Sequence, residues 1–280
     1  MIINITKNMN TWVELLQFPF LQRALVVGIL IGLTTAVLGV FVTLRKMSFF
    51  SDAISHSALV GIALGILLHL NPFLAAVGFV VLISLSMGFV TERTKLSPDT
   101  VIGVFFSSSV ALGVLIISLL KGYRADLFAY LFGDILAVSQ TDVWMSLILA
   151  AAVLGVMFWK GKAWIRLSLN PEMAQVDGLR VKIYDYIFLV IMALTVAVAL
   201  KVIGIILVSA LVIIPAAAAK GFAGNFRSLM LWSMLISIIS AVAGLFLSFQ
   251  FDTSSGPTIV LVATVFFLLS FIPQYLRKSS

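Results

Sequence analysis

Between Ala24 and Leu44 the chain runs for twenty-one residues without a charged side chain, and comparable apolar runs recur to its end. A helix crosses the hydrocarbon of a bilayer in about 20 mainly apolar residues, and in lipid each backbone N–H and C=O must be paired within the segment. A bundle of membrane-spanning helices is the architecture that meets both demands. Composition agrees: 62% of the 280 residues are hydrophobic and 10% are charged, against about 45–50% and about 25% in soluble domains. A soluble enzyme, a DNA-binding module and a disordered regulator are thereby excluded.

Breaks at charged and Pro/Gly-rich positions place spans near 24–44, 52–69, 73–90, 99–120, 143–159, 184–200, 202–219, 228–250 and 257–273. The expectation is an all-α, polytopic integral membrane protein of eight or nine helices, with residues 1–280 forming one transmembrane domain. The span 52–69 is short and carries charge, and the pair divided at Lys201 admits reading as one broken element. The longest hydrophilic interruptions, 121–142 and 160–183, leave no room for a soluble domain. Glu14 and Arg23 interrupt the first apolar run, so the N-terminus does not read as a cleavable signal.

The formal charge is +7, from 18 Lys and Arg against 11 Asp and Glu. In a membrane chain this reflects basic residues flanking spans on the cytoplasmic side rather than a nucleic-acid surface. Alternating the spans puts thirteen Lys and Arg on one side and leaves Lys7, Arg23, Lys121, Arg124 and Lys201 on the other. The richer side is read as cytoplasmic, with the N-terminus outside and the C-terminus inside. The absence of Cys removes disulfides, iron–sulfur clusters and thiolate metal sites. His56 and His69 are the two histidines, and His69, beside Asn71-Pro72, reads as a turn or interfacial residue.

Two spans carry small residues at a four-residue spacing, Gly28-Ile-Leu-Ile-Gly32 and Gly61-Ile-Ala-Leu-Gly65. Such spacing lets helix backbones approach closely, within one chain or between two. Pro215, followed by Ala216 to Ala219, is expected to kink its span.

Ten of the eleven acidic residues fall in loops, in the tail or at span ends; the other is Asp52. An aspartate costs about 2.5–3.5 kcal/mol at a helix centre on insertion scales, so such a residue ordinarily faces a cavity and has a function. His56 follows four positions later, about 40° round the helix and one turn along. Gly61 and Gly65 lie roughly opposite, so one face can offer ligands while the other packs. Carboxylate and imidazole together suit Zn²⁺, with Mn²⁺ and Fe²⁺ admissible. A hydrogen-bonded Asp–His pair without metal is the other reading of the same spacing. Two ligands fall short of the four of a tight zinc site, as a permeating ion that must leave requires.

The segment from Asn170 to Lys182 has the marks of a short helix. Asn170 can cap it, Pro171 suits its first position, Glu172 suits the positive end of its dipole, and Gly178 can end it in a left-handed turn. Position alone leaves it free to lie on lipid or on a partner. No phosphate-binding loop occurs: Gly155…Gly161-Lys162-Ala163 has the wrong spacing and lacks the Mg²⁺-binding hydroxyl.

Four segments resemble the ABC-3 family of permeases, the membrane subunits of bacterial zinc, manganese and iron ABC importers. They are the stretch from Leu44 through Met47-Ser-Phe-Phe-Ser-Asp-Ala-Ile-Ser-His-Ser to Gly65, then Ala129-Tyr-Leu-Phe-Gly-Asp-Ile-Leu, then Asn170–Gly178, and finally Val202 to Ala219. They follow one another in order along nearly the whole chain. The resemblance implies a homodimeric pore in the bacterial plasma membrane, two cytoplasmic ATPase subunits and an external metal-binding protein. It assigns the family's metal-carrying Asp-x-x-x-His to Asp52 and His56. It also assigns the helix that docks in the ATPase, about 170–180, to the segment holding Pro171, Glu172, Ala174 and Gly178. No resident cofactor is implied, only a transported divalent metal, with zinc favoured by the wording of the motifs. A gradient-driven transporter is the runner-up. An intramembrane enzyme using Asp52, His56 and Ser55 or Ser57 is disfavoured, because no second acid lies at that depth.

Overall fold

The computed structural model describes residues 17–119 and 135–272, and every regular element among them is helical. Helix α1 covers Pro19–Leu44, α2 Phe50–Leu67, α3 Pro72–Arg93 and α4 Pro98–Leu119. After a single 3₁₀ turn at Ile135–Ala137 come α5 (Gln140–Leu169), α6 (Pro171–Val176), α7 (Val181–Phe222), α8 (Phe226–Phe251) and α9 (Ser255–Leu269). Seven of these are long and apolar enough to cross a membrane, and α9 is a shorter apolar helix. The sequence readings at Lys7, Glu14, Lys121, Arg124, Arg277 and Lys278, and the family-like segment 129–134, lie outside the described residues.

Local chemistry sets the helix starts. Asn71 caps α3 by accepting from the N–H groups of Phe73 and Leu74, at 3.0 and 3.1 Å, and Pro72 fills the first position. Ser139 and Asp142 form a reciprocal capping box on α5. Asn225 caps α8 through Ser228 N–H at 2.9 Å.

Helix α7 is the element whose sequence reading needs most revision. It is 42 residues long, with non-helical backbone at Gly204 (φ 77°, ψ 167°), a conformation essentially reserved for glycine. Its first leg begins where Lys182 pairs with Glu92 and Asp185 meets Arg45, and reaches the opposite end of the bundle where Lys201 pairs with Asp142. The second leg returns: Gly39 lies against the backbone of Val212, and Ala216, Ala218 and Ala219 pack around Val40. The chain therefore reverses at Gly204, three residues beyond the division expected at Lys201. Pro215 sits inside the second leg without breaking it.

A second correction concerns α5. A span ending near 159 was expected, followed by a hydrophilic connection; instead the helix continues to Leu169. Thirty residues make about 45 Å of helix, more than the hydrocarbon thickness of about 30 Å, so its last turns stand clear of the membrane.

Helix α1 packs against α5, α7 and α8. It runs antiparallel to α8, whose Ser233 and Ser237 hydroxyls donate to the carbonyls of Ala36 (3.1 Å) and Gly32 (2.9 Å). Such hydroxyl-to-carbonyl bonds between helices are polar links that an apolar interior otherwise lacks. Gly28 faces Ile135 and Ala241. On α2, Gly61 meets Ala76 and Phe79 of α3, while Gly65 meets Pro72 and Ala75. Helix α9 folds back along α8, where Gly244 touches Ile259.

Candidate metal site

Asp52 lies in the first turn of α2, where the exposed N–H groups and the helix dipole favour a carboxylate. His56 is one turn further on, and both side chains are half-buried. The two are close enough to interact electrostatically. The imidazole stands edge-on to Phe106 of α4, with ring centroids 5.0 Å apart and an interplanar angle of 90°. From the second leg of α7, Ser209 brings its hydroxyl beside the Asp52 carboxylate. Ser51 and Ser55 on α2 are buried with hydroxyls that lack a partner. By contrast Ser57 is satisfied, bonded to Ala53 O and to Ser109 of α4, both at 2.7 Å.

Helix α2 thus turns Gly61 and Gly65 toward α3 and sets Asp52 and His56 among α4 and α7. A buried hydroxyl without a partner costs free energy, and Ser51 and Ser55 carry that cost on the same turns of α2 as the acid and the imidazole. Among the described residues no three His, Cys, Asp or Glu side chains gather in one place. Asp52 and His56 thus stand as a pair, with no third such side chain beside them among the described residues. His69, in a left-handed turn (φ 56°) at the far end of α2, is exposed and far from the pair.

The 170–180 segment forms the six-residue α6. Asn170 accepts from Met173 N–H at 3.0 Å, Pro171 occupies the first turn, and Gly178 leaves the helix at φ 81°. Ala174 is buried and anchors the helix, whereas Met173 and Val176 point outward, 67% and 89% exposed. The surrounding end of the bundle is tied at Arg45. Its guanidinium bonds Asp185 of α7 (2.8 Å) and Ser168 of α5 (3.1 Å), and lies 4.5 Å over the ring of Phe188. One buried side chain thus joins the ends of α1, α5 and α7, immediately before α2 and immediately before α6.

Sequence reasoning missed Ser209, Phe106 and Arg45. The first two were unremarkable residues in apolar runs. Arg45 stood inside a matching motif, but nothing in its spacing names Asp185 or Ser168 as partners.

The profile of the ABC 3 transport family matches residues 17–274. The chain belongs to that family. It is 40% identical over 254 residues to the high-affinity zinc uptake system membrane protein ZnuB of Haemophilus influenzae, covering 91% of this chain and 97% of that one. The manganese transport system membrane protein MntC of Listeria monocytogenes is 37% identical, covering 92% of each. Among solved structures, PsaBC from Streptococcus pneumoniae in complex with Fab superposes with a TM-score of 0.84 at 34% identity, covering 98% of this chain and all of that one. An inward-facing putative metal-chelate type ABC transporter gives 0.74 at 14% identity, over 98% of this chain and 92% of the other, which is a likeness of fold. The ABC 3 chain described here is a multi-pass protein of the bacterial plasma membrane and a permease rather than an enzyme.

Proposed function

We propose that this chain is the membrane-spanning subunit of an ATP-driven importer that carries a divalent transition metal inward, with Asp52 and His56 as transient ligands. The observation that carries the reading is the half-buried Asp–His pair, one helical turn apart with Ser209 beside the carboxylate, in a chain whose relatives include named zinc and manganese permeases. Asp52 supplies charge and His56 a neutral nitrogen. Both bind loosely enough to let go, because neither chain alone completes a tetrahedral shell. Zinc is the preferred cargo, with manganese or iron the alternatives.

A second copy supplies the missing ligands: two α2 helices facing one axis would offer two carboxylates and two imidazoles. ATP hydrolysis belongs to separate subunits, one docked on α6 of each chain, where the exposed Met173 and Val176 offer an apolar tip beside Pro171 and Glu172. An external metal-binding protein delivers the ion at the opposite end, near Lys201 and Asp142. The end carrying Arg45, Arg93 and Lys182 faces the cytoplasm by its excess of Lys and Arg; counting each leg of α7 and the shorter α9 as a crossing makes nine, which brings the C-terminus inside.

Reconstituted vesicles test the site. Asp52→Asn keeps shape and removes charge, and His56→Ala removes the imidazole; each is expected to abolish uptake of ⁶⁵Zn or ⁵⁴Mn while the ATPase still assembles. Near-normal uptake by Asp52→Asn returns the pair to a structural role.

A further inference from the structure

A groove of about 520 Å³ opens between α5 and the start of α7, away from the Asp52 face. Its walls include Val156, Trp159 and Lys160 of α5, with Arg180, Ile183 and Ile187 leading into α7. Lys160 Nζ sits 4.6 Å above the Trp159 ring, which holds the ammonium at the mouth. Phe158 and Trp159 are 95% and 79% exposed, and α5 leans on α1 and α7 rather than on α2 and α4. Among the described residues neither Lys160 nor Arg180 meets a carboxylate; the nearby Asp177 pairs with Arg166 at 3.6 Å.

Depth identifies what reaches such a groove. Asp142, paired with Lys201 at the outer end, and Lys160 are eighteen residues apart on one helix, about 27 Å at 1.5 Å per residue. That is nearly the hydrocarbon thickness of about 30 Å, so Trp159 and Lys160 mark the opposite headgroup boundary. The apolar wall of Val156, Ile183 and Ile187 faces the acyl region, while two cations face the headgroups.

From this arrangement we infer that the groove is a binding site for an anionic phospholipid of the inner leaflet. The phosphate lies between Lys160 and Arg180, an acyl chain runs along Ile183 and Ile187, and the Trp159 ring stands at the glycerol level. Basic grooves between helices on the cytoplasmic side suit acidic headgroups. Gly178 is among the residues that line the groove, so a bound lipid braces the turn that leaves α6. The site needs only the membrane and is independent of which ion is carried.

The test uses the full-length chain with whatever subunits accompany it, in phosphatidylcholine nanodiscs doped with phosphatidylglycerol, with retained lipid counted by native mass spectrometry. The wild type is expected to retain phosphatidylglycerol over phosphatidylcholine, and the K160Q/R180Q variant to retain it about tenfold less strongly. Equal retention of both lipids by the wild type overturns the inference, as does undiminished phosphatidylglycerol in the variant. The wild-type comparison stands even where the double variant fails to fold. Retention seen only after accompanying soluble subunits are stripped away also overturns it, because the groove then belongs to a protein partner.

Discussion

Asp52 and His56 sit one helical turn apart on α2, half-buried among apolar neighbours. Asp52 stood out because an ionised carboxylate in an apolar run demands a reason, and the helical period put His56 beside it. Ser209 gave no such sign, since a serine in a span ordinarily bonds back to its own helix, as Ser57 does to Ala53. Its position beside Asp52 depends on how the second leg of α7 packs, which no local pattern encodes. The close helix contacts lead to a prediction. A Cβ at Gly61 would come within 2.6 Å of the Ala76 α-carbon, whereas one at Gly155 meets nothing within 4 Å. Gly61→Ala is expected to destabilise the purified protein by about 1–3 kcal/mol. Gly155→Ala should be neutral or gain up to about 1 kcal/mol from helix propensity. Thermal unfolding in one detergent compares them; equal melting of both variants would contradict the packing described for α2 and α3.

Among elements, ends were harder to read than existence. Lys201 looked like the end of a span because a charge in an apolar run usually is one, yet the backbone turns three residues later, at Gly204, where positive φ is free of a Cβ clash. The far end of α5 was hidden for the opposite reason. Beyond Lys160 its residues are too polar for a span, and hydropathy does not distinguish an emerging helix from a loop. The short α6 was better marked, since Asn170, Pro171 and Gly178 each have a positional meaning. For α6 we predict that Glu172→Arg or Gly178→Pro leaves folded permease in the membrane but uncouples ATP hydrolysis from uptake. Proline cannot adopt the φ of 81° found at Gly178. Unchanged stimulation of ATPase activity by the loaded external protein in both variants would refute a docking role. Arg45→Gln removes the tie among α1, α5 and α7 and strands Asp185. Breaking a fully buried pair costs about 3–5 kcal/mol; with the Asp185 side chain 41% exposed, water screens the loss to about 1–2 kcal/mol. A melting temperature unchanged by Arg45→Gln would show that the ends are held elsewhere.

For the whole molecule, the two ligands per chain that we propose make the cation count informative. If the site forms between two copies, the assembly holds one cation for every two chains, measured by elemental analysis of complex trapped during turnover. A mixed dimer of wild type and Asp52→Asn, isolated through two different tags, should be as inactive as the homogeneous variant. Half the wild-type uptake would mean instead that each chain conducts alone. The same geometry puts the described ends, near Gln17 and Ile272, at opposite ends of the bundle. Reporter fusions at the two termini should therefore signal from opposite compartments, and signals from one side would remove a crossing.

The approach of Gly39 to Val212 has a consequence for how such a chain can change over time. Where two side chains meet, a larger one on the first helix can be matched by a smaller one on the second, and the pair can drift together. At Gly39 the atom in the way is the carbonyl oxygen of residue 212. Every amino acid carries that oxygen, so no replacement at Val212 makes room for a methyl group opposite. The meeting point of α1 with the returning leg of α7 has no compensating substitution, and the two helices can diverge in sequence everywhere around it while staying pinned there.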